Sequence, residues 1–199
     1  GKPGRKERRN SQHLRVMVKM MKLIETPRLI LKEWREADAA ELFSLAKNPN
    51  VGPHAGWKPH ADEAESLEVI RTLFFTSIVW KVTDKKTGTL MGSLGLETDR
   101  FRPGIASKEL GYWIAEEYWG KGFATEAASA AIQYGFEELE LEIIGICTSP
   151  SNSRSQRVIE KLGFTYEGTH RRCYKIYDGS VRDSLTFSLL KEEWEKFQL

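Results

Sequence analysis

Two glycines that flank a lysine, Gly120-Lys121-Gly122, separate an apolar segment at 110–115 from a run of small residues that begins at Phe123. The apolar segment predicts a strand, and the small residues predict a helix. Glycine lets the backbone approach a ligand closely, and the first amides of a helix have no internal partners. Because the helix dipole adds positive charge at that end, this turn predicts a phosphate-binding site. It lacks the third glycine of the Rossmann fingerprint and the Gly-Lys-Ser/Thr of a P-loop, and a plain strand-to-helix turn is the structural alternative.

A second informative stretch, SPSNSRSQRVIEKLGF, occupies residues 149–164. It predicts a helix over 152–162 that Gly163 ends, with Val158 and Ile159 facing inward. Ser and Asn at the start of such a helix are typical caps, so the stretch also has a purely structural interpretation.

Both stretches resemble the GNAT acyltransferases. The segment from Trp119 to Ala124 is similar to the acetyl-CoA pyrophosphate loop of that family, Gln/Arg-x-x-Gly-x-Gly/Ala, with Trp119 in the place of Gln or Arg. Residues 152–164 are similar to the second cofactor-binding segment, Asn-x-x-Ser/Ala followed by Glu-Lys-x-Gly-Phe. The resemblance covers residues 25–190. The peptides at 26–29 (TPRL) and 111–114 (GYWI), with the final hairpin, resemble the branch of ribosomal-protein N-terminal alanine acetyltransferases.

The resemblance implies an α+β fold with a mixed, mostly antiparallel sheet, which is splayed between two parallel middle strands at 110–115 and 143–148 and flanked by about four helices. It implies acetyl-CoA as co-substrate and no metal, with the pantetheine arm in the splay, pairing with the backbone near Ile114. Lys121, Arg154 and Arg157 either contact its phosphates or are surface charges. The implied cofactor-binding residues are Ile114, Trp119, Gly120, Lys121, Gly122, Phe123, Ala124, Thr125, Asn152 and Ser155.

The implied chemistry is direct transfer, in which a neutral amine attacks the thioester and coenzyme A leaves. This reaction needs an acid near the sulfur. Many relatives place a tyrosine where this chain has Ile159, which cannot donate a proton. Ser155 lies four residues earlier on the same helical face and is the candidate acid. The alternative is that Ser155 and Asn152 only cap the helix and hold the cofactor.

The reaction also needs a base for the amine proton, and the candidates are Glu97 and Glu109, each on a predicted strand beside the cleft. The alternative for each is an ordinary solvated carboxylate. Freeing an α-amine at pH 7 costs about 1–1.4 kcal/mol, whereas freeing a lysine costs about 4.6 kcal/mol. A carboxylate therefore serves an N-terminal amine more readily than a lysine.

The remaining pattern predicts the other elements. Strands are expected at 25–32, 78–83, 90–97, 165–177 and 181–190, helices at 37–46 and 62–73, a loop at 51–59, and a terminal helical turn at 191–197. The Asp178-Gly179 pair predicts the turn of the last hairpin. On the helix at 62–73, Leu67, Ile70 and Leu73 are expected on one side.

The 199 residues fit one domain, and 40% hydrophobic content with 11% aromatics is typical of a globular protein. The two cysteines suit no metal spacing and indicate a reducing, cytoplasmic compartment. No apolar run approaches the roughly 18 residues of a membrane span.

The net charge of +2 is unevenly distributed along the chain. Residues 1–22 hold eight Lys/Arg and one Glu, and we interpret them as a basic arm, either a cloning leader or a misassigned start. The folded domain is expected over 23–199, where acidic residues are in excess by five. An acidic body favours a cationic substrate, and only the arm suggests nucleic acid, which we do not expect as a partner. A homodimer is left open.

We therefore expect an N-acetyltransferase whose acceptor is a primary amine. A protein N-terminal α-amine, of the ribosomal-protein-alanine type, is the first expectation, and a polyamine, amino acid or aminoglycoside is the alternative. A third hypothesis, from another class, is a non-catalytic acyl-CoA-binding module, because Ile159 occupies the tyrosine position.

Overall fold

The computed structural model describes residues 21–198, and over that range eight strands form a single sheet in the order β1-β2-β3-β4-β5-β6-β8-β7. All neighbouring strands are antiparallel except β5 and β6. The strands are β1 (Ile24–Glu25), β2 (Leu29–Glu33), β3 (Ile78–Asp84), β4 (Leu90–Glu97), β5 (Ser107–Ile114), β6 (Ile143–Thr148), β7 (Thr165–Lys175) and β8 (Val181–Leu190).

Six α-helices accompany the sheet in the described part of the chain. They are α1 (Ala39–Ala46), α2 (Gly52–Ala55), α3 (Glu63–Val69), α4 (Phe123–Glu137), α5 (Ser153–Lys161) and α6 (Lys191–Phe197). The expected α+β class with a mixed, mostly antiparallel sheet is confirmed, with two helices more than the four expected. The short α2 was not expected, whereas α6 occupies the expected terminal helical turn at 191–197.

Two hydrophobic clusters hold the helices on the sheet. The larger one includes the small side chains of α4, Ala127, Ala128 and Ala131, which are fully buried and let this helix pack closely on the sheet. The smaller one joins Leu42 of α1 to Val79 of β3. Burying apolar area of this kind stabilises the fold by about 25 cal/mol per Å².

The sheet is splayed between β5 and β6, as expected. Their parallel pairing runs only from Ser107 to Leu110 on β5 and from Ile143 to Ile146 on β6. Beyond these pairs, β5 continues to Ile114 and β6 continues to Thr148 without pairing with each other. The backbone of residues 111–114 therefore has a free edge that faces the gap.

Three local expectations are wrong. The single strand expected at 25–32 is interrupted, because β1 ends at Glu25 and β2 begins at Leu29. Residues 51–59 contain α2, which Gly56 ends in a left-handed conformation, where only a loop was expected. Leu73 does not share the buried side of its helix: it is 57% exposed, whereas Ile70 is buried. The cause is a π-helical turn over Ile70–Phe74, in which the Phe75 amide bonds to the Ile70 carbonyl at 2.9 Å. The wider turn changes the helical phase.

The expected boundary between the arm and the domain lies at the start of the described residues, and residues 1–20 fall outside them. The carbonyl of Lys22 accepts a hydrogen bond from Trp80 Nε1 at 2.9 Å, so contacts with the domain begin at least there. No helix within residues 21–198 is long and apolar enough to cross a membrane.

Candidate active site

Two cavities meet at the splayed end of the sheet. A cavity of 350 Å³ lies between the glycine turn, α5 and the end of β5, and a cavity of 660 Å³ lies over β4 and β5 beneath α2 and α3. The residues that line both are His54, Ala55, Tyr112, Trp113, Asn152 and Ser155. A ligand in the smaller cavity can therefore present its end to a second ligand in the larger one.

The glycine turn has the geometry of an anion site. Gly120 and Gly122 have φ of 73° and 80°, a left-handed backbone that strains other residues. The first amide of this segment that bonds within α4 is that of Glu126, which donates to the Gly122 carbonyl at 3.0 Å. Among residues 21–198, no protein acceptor pairs with the amides of 120–125. These donors are free for a diphosphate, and they start a helix of 15 residues.

A brace from the chain leading into β2 holds this turn from outside. Glu126 accepts hydrogen bonds from Thr26 Oγ1 at 2.6 Å and from Arg28 Nε at 2.7 Å. Arg28 also donates to the Lys121 carbonyl at 3.0 Å and lies 4.1 Å over the Phe123 ring. Burial opposes ionisation of Glu126, but its hydrogen bonds outweigh burial and leave the pKa of the carboxyl below its usual value. The charged brace therefore fixes where the free amides point.

Trp119, which replaces the family's Gln or Arg, joins three parts of the smaller cavity. Its indole Nε1 donates to the Ile114 carbonyl at 2.8 Å, and the Arg154 guanidinium lies 3.4 Å over its ring. Stacking of this kind positions a cation. Arg154, Arg157 and Lys161 line the cavity, so the rim opposite the amides is cationic. One lone pair of the Ile114 carbonyl is used by Trp119, and the other remains for a ligand.

Tyr112 and Ser155 lie at the junction of the two cavities. Their hydroxyl oxygens are 3.5 Å apart, longer than an ordinary O–H···O bond. Burial raises the pKa of Tyr112, while Ser155 and Arg154 oppose the shift. Tyr112 is therefore a neutral donor at physiological pH. Ile159 is fully buried in the larger core cluster, so it serves packing.

The larger cavity contains two carboxylates on its floor. Glu97 and Glu109 are direct cross-strand partners on β4 and β5, and Arg100 forms an ion pair with Glu109 at 3.1 Å. Burial, followed by the nearby Glu109 charge, raises the pKa of Glu97. Glu97 has no ion pair among the described residues. A carboxylate with a raised pKa that lines a cavity is suited to accept a proton.

Most residues expected at the site line the two cavities. Nine of the ten cofactor-binding candidates line the smaller one: Ile114, Trp119, Gly120, Gly122, Phe123, Ala124, Thr125, Asn152 and Ser155. Lys121 contributes its carbonyl to the brace, and its side chain is absent from that lining. The larger cavity is lined by Glu97, Glu109 and Ser155. Their functional roles remain predictions.

Sequence reasoning missed a donor role for Tyr112, the loop brace and the place of Lys161 on the rim. Strand alternation predicts that Tyr112 lies on the face of the sheet opposite Glu109. The pattern therefore does not indicate that Tyr112 reaches the junction of the two cavities. The brace was signalled only by the TPRL peptide, because Arg28 and Glu126 are 98 residues apart in sequence. The asparagine cap was foreseen: Asn152 Oδ1 accepts from the Ser155 amide at 3.1 Å.

A sheet that opens beside free amides at a helix start, with a second cavity at the end of the gap, defines an acyl-CoA-dependent acyltransferase fold. Residues 28–165 match the acetyltransferase (GNAT) domain family. The uncharacterized N-acetyltransferase YoaA of Bacillus subtilis (strain 168) is 30% identical over 181 residues, which is 86% of this chain and 98% of YoaA. The ribosomal protein uS5-alanine N-acetyltransferase of Escherichia coli (strain K12) is 35% identical over 85 residues, only 43% of each chain. A solved GNAT-family acetyltransferase from Bacillus anthracis shares the fold, with a TM-score of 0.78 and 24% identity over 86% of this chain and 100% of that one.

The chain belongs to the GNAT family of acetyltransferases and uses acetyl-CoA as co-substrate. Family membership supports an enzyme over the non-catalytic acyl-CoA-binding module. The similarity to the ribosomal-protein enzyme is partial, and it leaves the acceptor to be argued from the site.

Proposed function

We propose that this enzyme acetylates the α-amine at the N-terminus of a protein, as the ribosomal-protein-alanine acetyltransferases do. The observation that carries the proposal is the larger cavity, which starts at the reaction junction and extends over β4 and β5 with a volume of 660 Å³. A trough of this size accommodates several residues of an extended chain. Small amines would leave most of it filled with water.

The proton balance also favours an α-amine. Glu97 accepts the amine proton, directly or through a water molecule, and the neutral nitrogen forms a bond with the thioester carbon as the carbon–sulfur bond breaks. The sulfur leaves as a thiolate, which a hydroxyl near Asn152 stabilises and protonates, and that hydroxyl regains a proton from the nitrogen, which loses its second proton as the amide forms. Ser155 and Tyr112 supply the two hydroxyls at that place. Because an α-amine costs only about 1–1.4 kcal/mol to deprotonate at pH 7, one carboxylate with a raised pKa suffices.

The binding of acetyl-CoA is assigned to the amides of residues 120–125, the free edge of β5 and the cationic rim. Gly120, Gly122, Phe123, Ala124 and Thr125 hold the diphosphate through the backbone, and Lys121 does so only through its amide. Trp119 and Ile114 line the route of the pantetheine arm.

A second candidate, acetylation of a small polyamine, is favoured by one specific feature. Glu97 and Glu109 face each other directly, and like charges in such a pair destabilise a sheet unless a cation joins them. Arg100 pairs with only one of the two. A second ammonium group of a polyamine would neutralise the carboxylate charge that Arg100 leaves without a partner.

The deciding experiment is a screen for thiol release from acetyl-CoA with peptides that begin with Ala or Ser, beside spermidine and putrescine. The proposal predicts higher kcat/KM with peptides, and a Glu97→Gln enzyme with kcat lowered by about 10²–10⁴-fold at unchanged acetyl-CoA affinity. Turnover confined to polyamines would establish the second candidate instead. A Ser155→Ala enzyme with unchanged kcat and a raised KM for acetyl-CoA would limit Ser155 to cofactor binding and leave Tyr112 as the donor.

A further inference from the structure

His60 is a buried histidine that the proposed chemistry does not use. It is 8% exposed and lines the larger cavity. Its backbone amide donates to the Ala46 carbonyl at 3.0 Å, and the following amide, of Ala61, donates to Glu65 Oε2 at 2.7 Å. The loop that carries the ring is therefore anchored to α1 and α3.

The single polar partner of the ring determines which of its two nitrogens carries the proton. Nδ1 lies 2.7 Å from the hydroxyl oxygen of Ser66, which is fully buried. Among residues 21–198 this hydroxyl has no other partner, so its proton has only Nδ1 as an acceptor. A buried hydroxyl left without an acceptor would cost about 1–3 kcal/mol. We therefore assign Nδ1 as the acceptor, which places the proton of the neutral ring on Nε2.

The ring is kept neutral by its surroundings. Burial lowers the pKa of His60, and the nearby Glu65 charge opposes the shift only in part. Nε2 has no hydrogen-bond partner among the described residues. The ring on the cavity wall thus carries an N–H that has no protein acceptor among the described residues and is available to an oxygen atom of a ligand.

A line of rings connects His60 to the reaction junction. Trp113 lines both cavities, its ring centre is 5.8 Å from that of Trp57, and Trp57 is 5.3 Å from His60. An extended peptide advances about 3.3 Å per residue. The ring therefore lies within reach of the carbonyls of the first three or four residues of an acceptor whose amine is at the junction.

We propose that His60 Nε2–H donates a hydrogen bond to a backbone carbonyl of the acceptor and thereby selects amines carried by a peptide chain. The inference rests on the proposed function and specifies the substrate class, because alkylamines and polyamines have no carbonyl to offer. His60 is a specificity-determining residue in this assignment and takes no part in the proton transfer to Glu97.

The test compares the wild-type enzyme with a His60→Phe/Ser66→Ala double variant, which keeps a ring in place and leaves no buried hydroxyl unpaired. The acceptors are alanine amide, a tetrapeptide amide beginning with alanine, and butylamine. In the wild type, lengthening the acceptor to four residues should raise kcat/KM. In the double variant this increase should be about tenfold smaller, because KM for the tetrapeptide rises. Its activity with butylamine and its affinity for acetyl-CoA should stay within twofold of wild type.

Two further variants distinguish loss of the hydrogen bond from a nonspecific effect of replacing a histidine. His60→Gln retains a donor at the end of the side chain and should keep most of the tetrapeptide preference. His170→Phe makes the same chemical change on the exposed β7, where the ring stacks on Phe101 outside both cavities, and should change nothing.

Three outcomes overturn the inference. The first is a double variant that loses activity equally with the tetrapeptide and butylamine, and the second is one that keeps the full length preference. The third is a wild-type enzyme that acetylates butylamine and neither peptide acceptor. Wild-type enzyme that releases no thiol with any peptide refutes the proposed function, and the inference falls with it, whereas the first two outcomes leave the proposed function intact.

Discussion

Glu97 and Glu109 are paired across β4 and β5 at the floor of the acceptor cavity, so the charge of Glu109 raises the proton affinity of Glu97. A base acts in its deprotonated form, and kcat/KM therefore rises with pH through the pKa of the free enzyme's base. Burial and the Glu109 charge both raise the pKa of Glu97. The acid limb of the kcat/KM profile, where activity rises with pH, should therefore have its midpoint above the usual pKa range of a glutamate.

The first prediction concerns this limb. Glu109→Gln removes the adjacent negative charge and releases Arg100, and both changes lower the pKa of Glu97. The acid limb of the kcat/KM profile should move to lower pH but stay above the ordinary glutamate value, because burial persists. Profiles of wild type and variant with one acceptor test this, with Glu137→Gln on the exposed side of α4 as control. A limb that stays in place or moves to higher pH would exclude Glu97 as the base.

Cys147 lies in the same cavity, where burial and then the Glu109 charge raise the pKa of its thiol to about 11, against a smaller opposing effect of Arg100. At neutral pH the thiol is protonated and does not compete with the amine for the acetyl group. This protonation favours direct transfer over an acetyl-cysteine enzyme.

The second prediction follows from that pKa. The thiolate fraction of Cys147 is about a hundredfold lower than that of an ordinary cysteine, and the higher nucleophilicity of a basic thiolate recovers about tenfold. Iodoacetamide at pH 8 should therefore alkylate Cys147 at least about tenfold more slowly than free cysteine. The rate is best followed by mass spectrometry in a Cys173→Ser background, since Cys173 is exposed. Glu109→Gln should accelerate it, and rapid labelling of Cys147 in the wild type would contradict the raised pKa.

At the scale of secondary-structure elements, the start of α4 is tied to the chain leading into β2, because Arg28 and Thr26 there hold Glu126 of that helix. The brace does not contact either cavity through its carboxylate. Its effect on catalysis must pass through the position of the glycine turn.

The third prediction tests the brace with Glu126→Gln. Loss of the charge on a partly exposed pair should cost about 1 kcal/mol of stability and about 2–4 °C in Tm. Because the turn holds the diphosphate, KM should rise for acetyl-CoA but not for acetyl-pantetheine, which lacks that group. Arg71→Gln, which breaks the exposed pair with Glu36, is the matched control and should leave both KM values unchanged. Equal increases for the two donors would show that the brace acts elsewhere.

The pKa of Glu126 also sets a pH window for this effect. A carboxyl whose pKa is depressed in the folded state contributes stability above its unfolded pKa of about 4.3, and this stability is lost as the pH falls through the folded pKa. The Tm difference between wild type and Glu126→Gln should therefore be constant near neutrality and disappear in acid.

Elements with strong local signals could be predicted from the sequence, and those set by distant contacts could not. β6 was expected at its observed bounds, Ile143–Thr148, because a short apolar run lies between clear breaks. The end of α5 was also foreseen, since Gly163 takes the left-handed conformation with φ of 81°. By contrast, α2 and the π-turn after α3 depend on distant contacts: the Pro53 carbonyl of α2 accepts from Arg182 of β8 at 2.9 Å, and Ile70 of the π-turn packs with Val79 of β3.

The candidate site also contains features that local sequence signals predict and features that depend on distant contacts. The free amides of the glycine turn are local backbone geometry, and two family motifs indicated them. Tyr112 and His60 gain their places only when the sheet splays and the loop after α2 closes over Trp113. His60 belongs to no motif, the GYWI peptide that contains Tyr112 indicates no role for its hydroxyl, and no periodicity distinguishes either residue from core residues.

On the scale of the whole molecule, the enzyme has to bind two ligands of opposite charge. Acetyl-CoA is anionic and meets a local cationic rim at Arg154, Arg157 and Lys161. An N-terminal amine is cationic before it loses its proton and meets a chain that is acidic outside its first residues. Residues 21–199 contain 23 Lys/Arg and 27 Asp/Glu, whereas residues 1–20 contain seven Lys/Arg and one Glu. Long-range charge should therefore affect the two substrates in opposite directions.

The fourth prediction uses removal of residues 1–20 to separate these effects. At low salt, the shortened chain should show a higher kcat/KM for a lysine-containing acceptor peptide, because its overall charge becomes negative. Its kcat/KM for acetyl-CoA should fall under the same conditions, because a negative chain repels the anionic donor. Both differences should vanish near 1 M salt, where the screening length is about 3 Å. Steady-state kinetics at several ionic strengths measure this, with an uncharged-side-chain peptide as control. A loss of folded enzyme would lower both values together at every salt concentration, so only changes of opposite sign that salt removes support electrostatic steering by the whole chain.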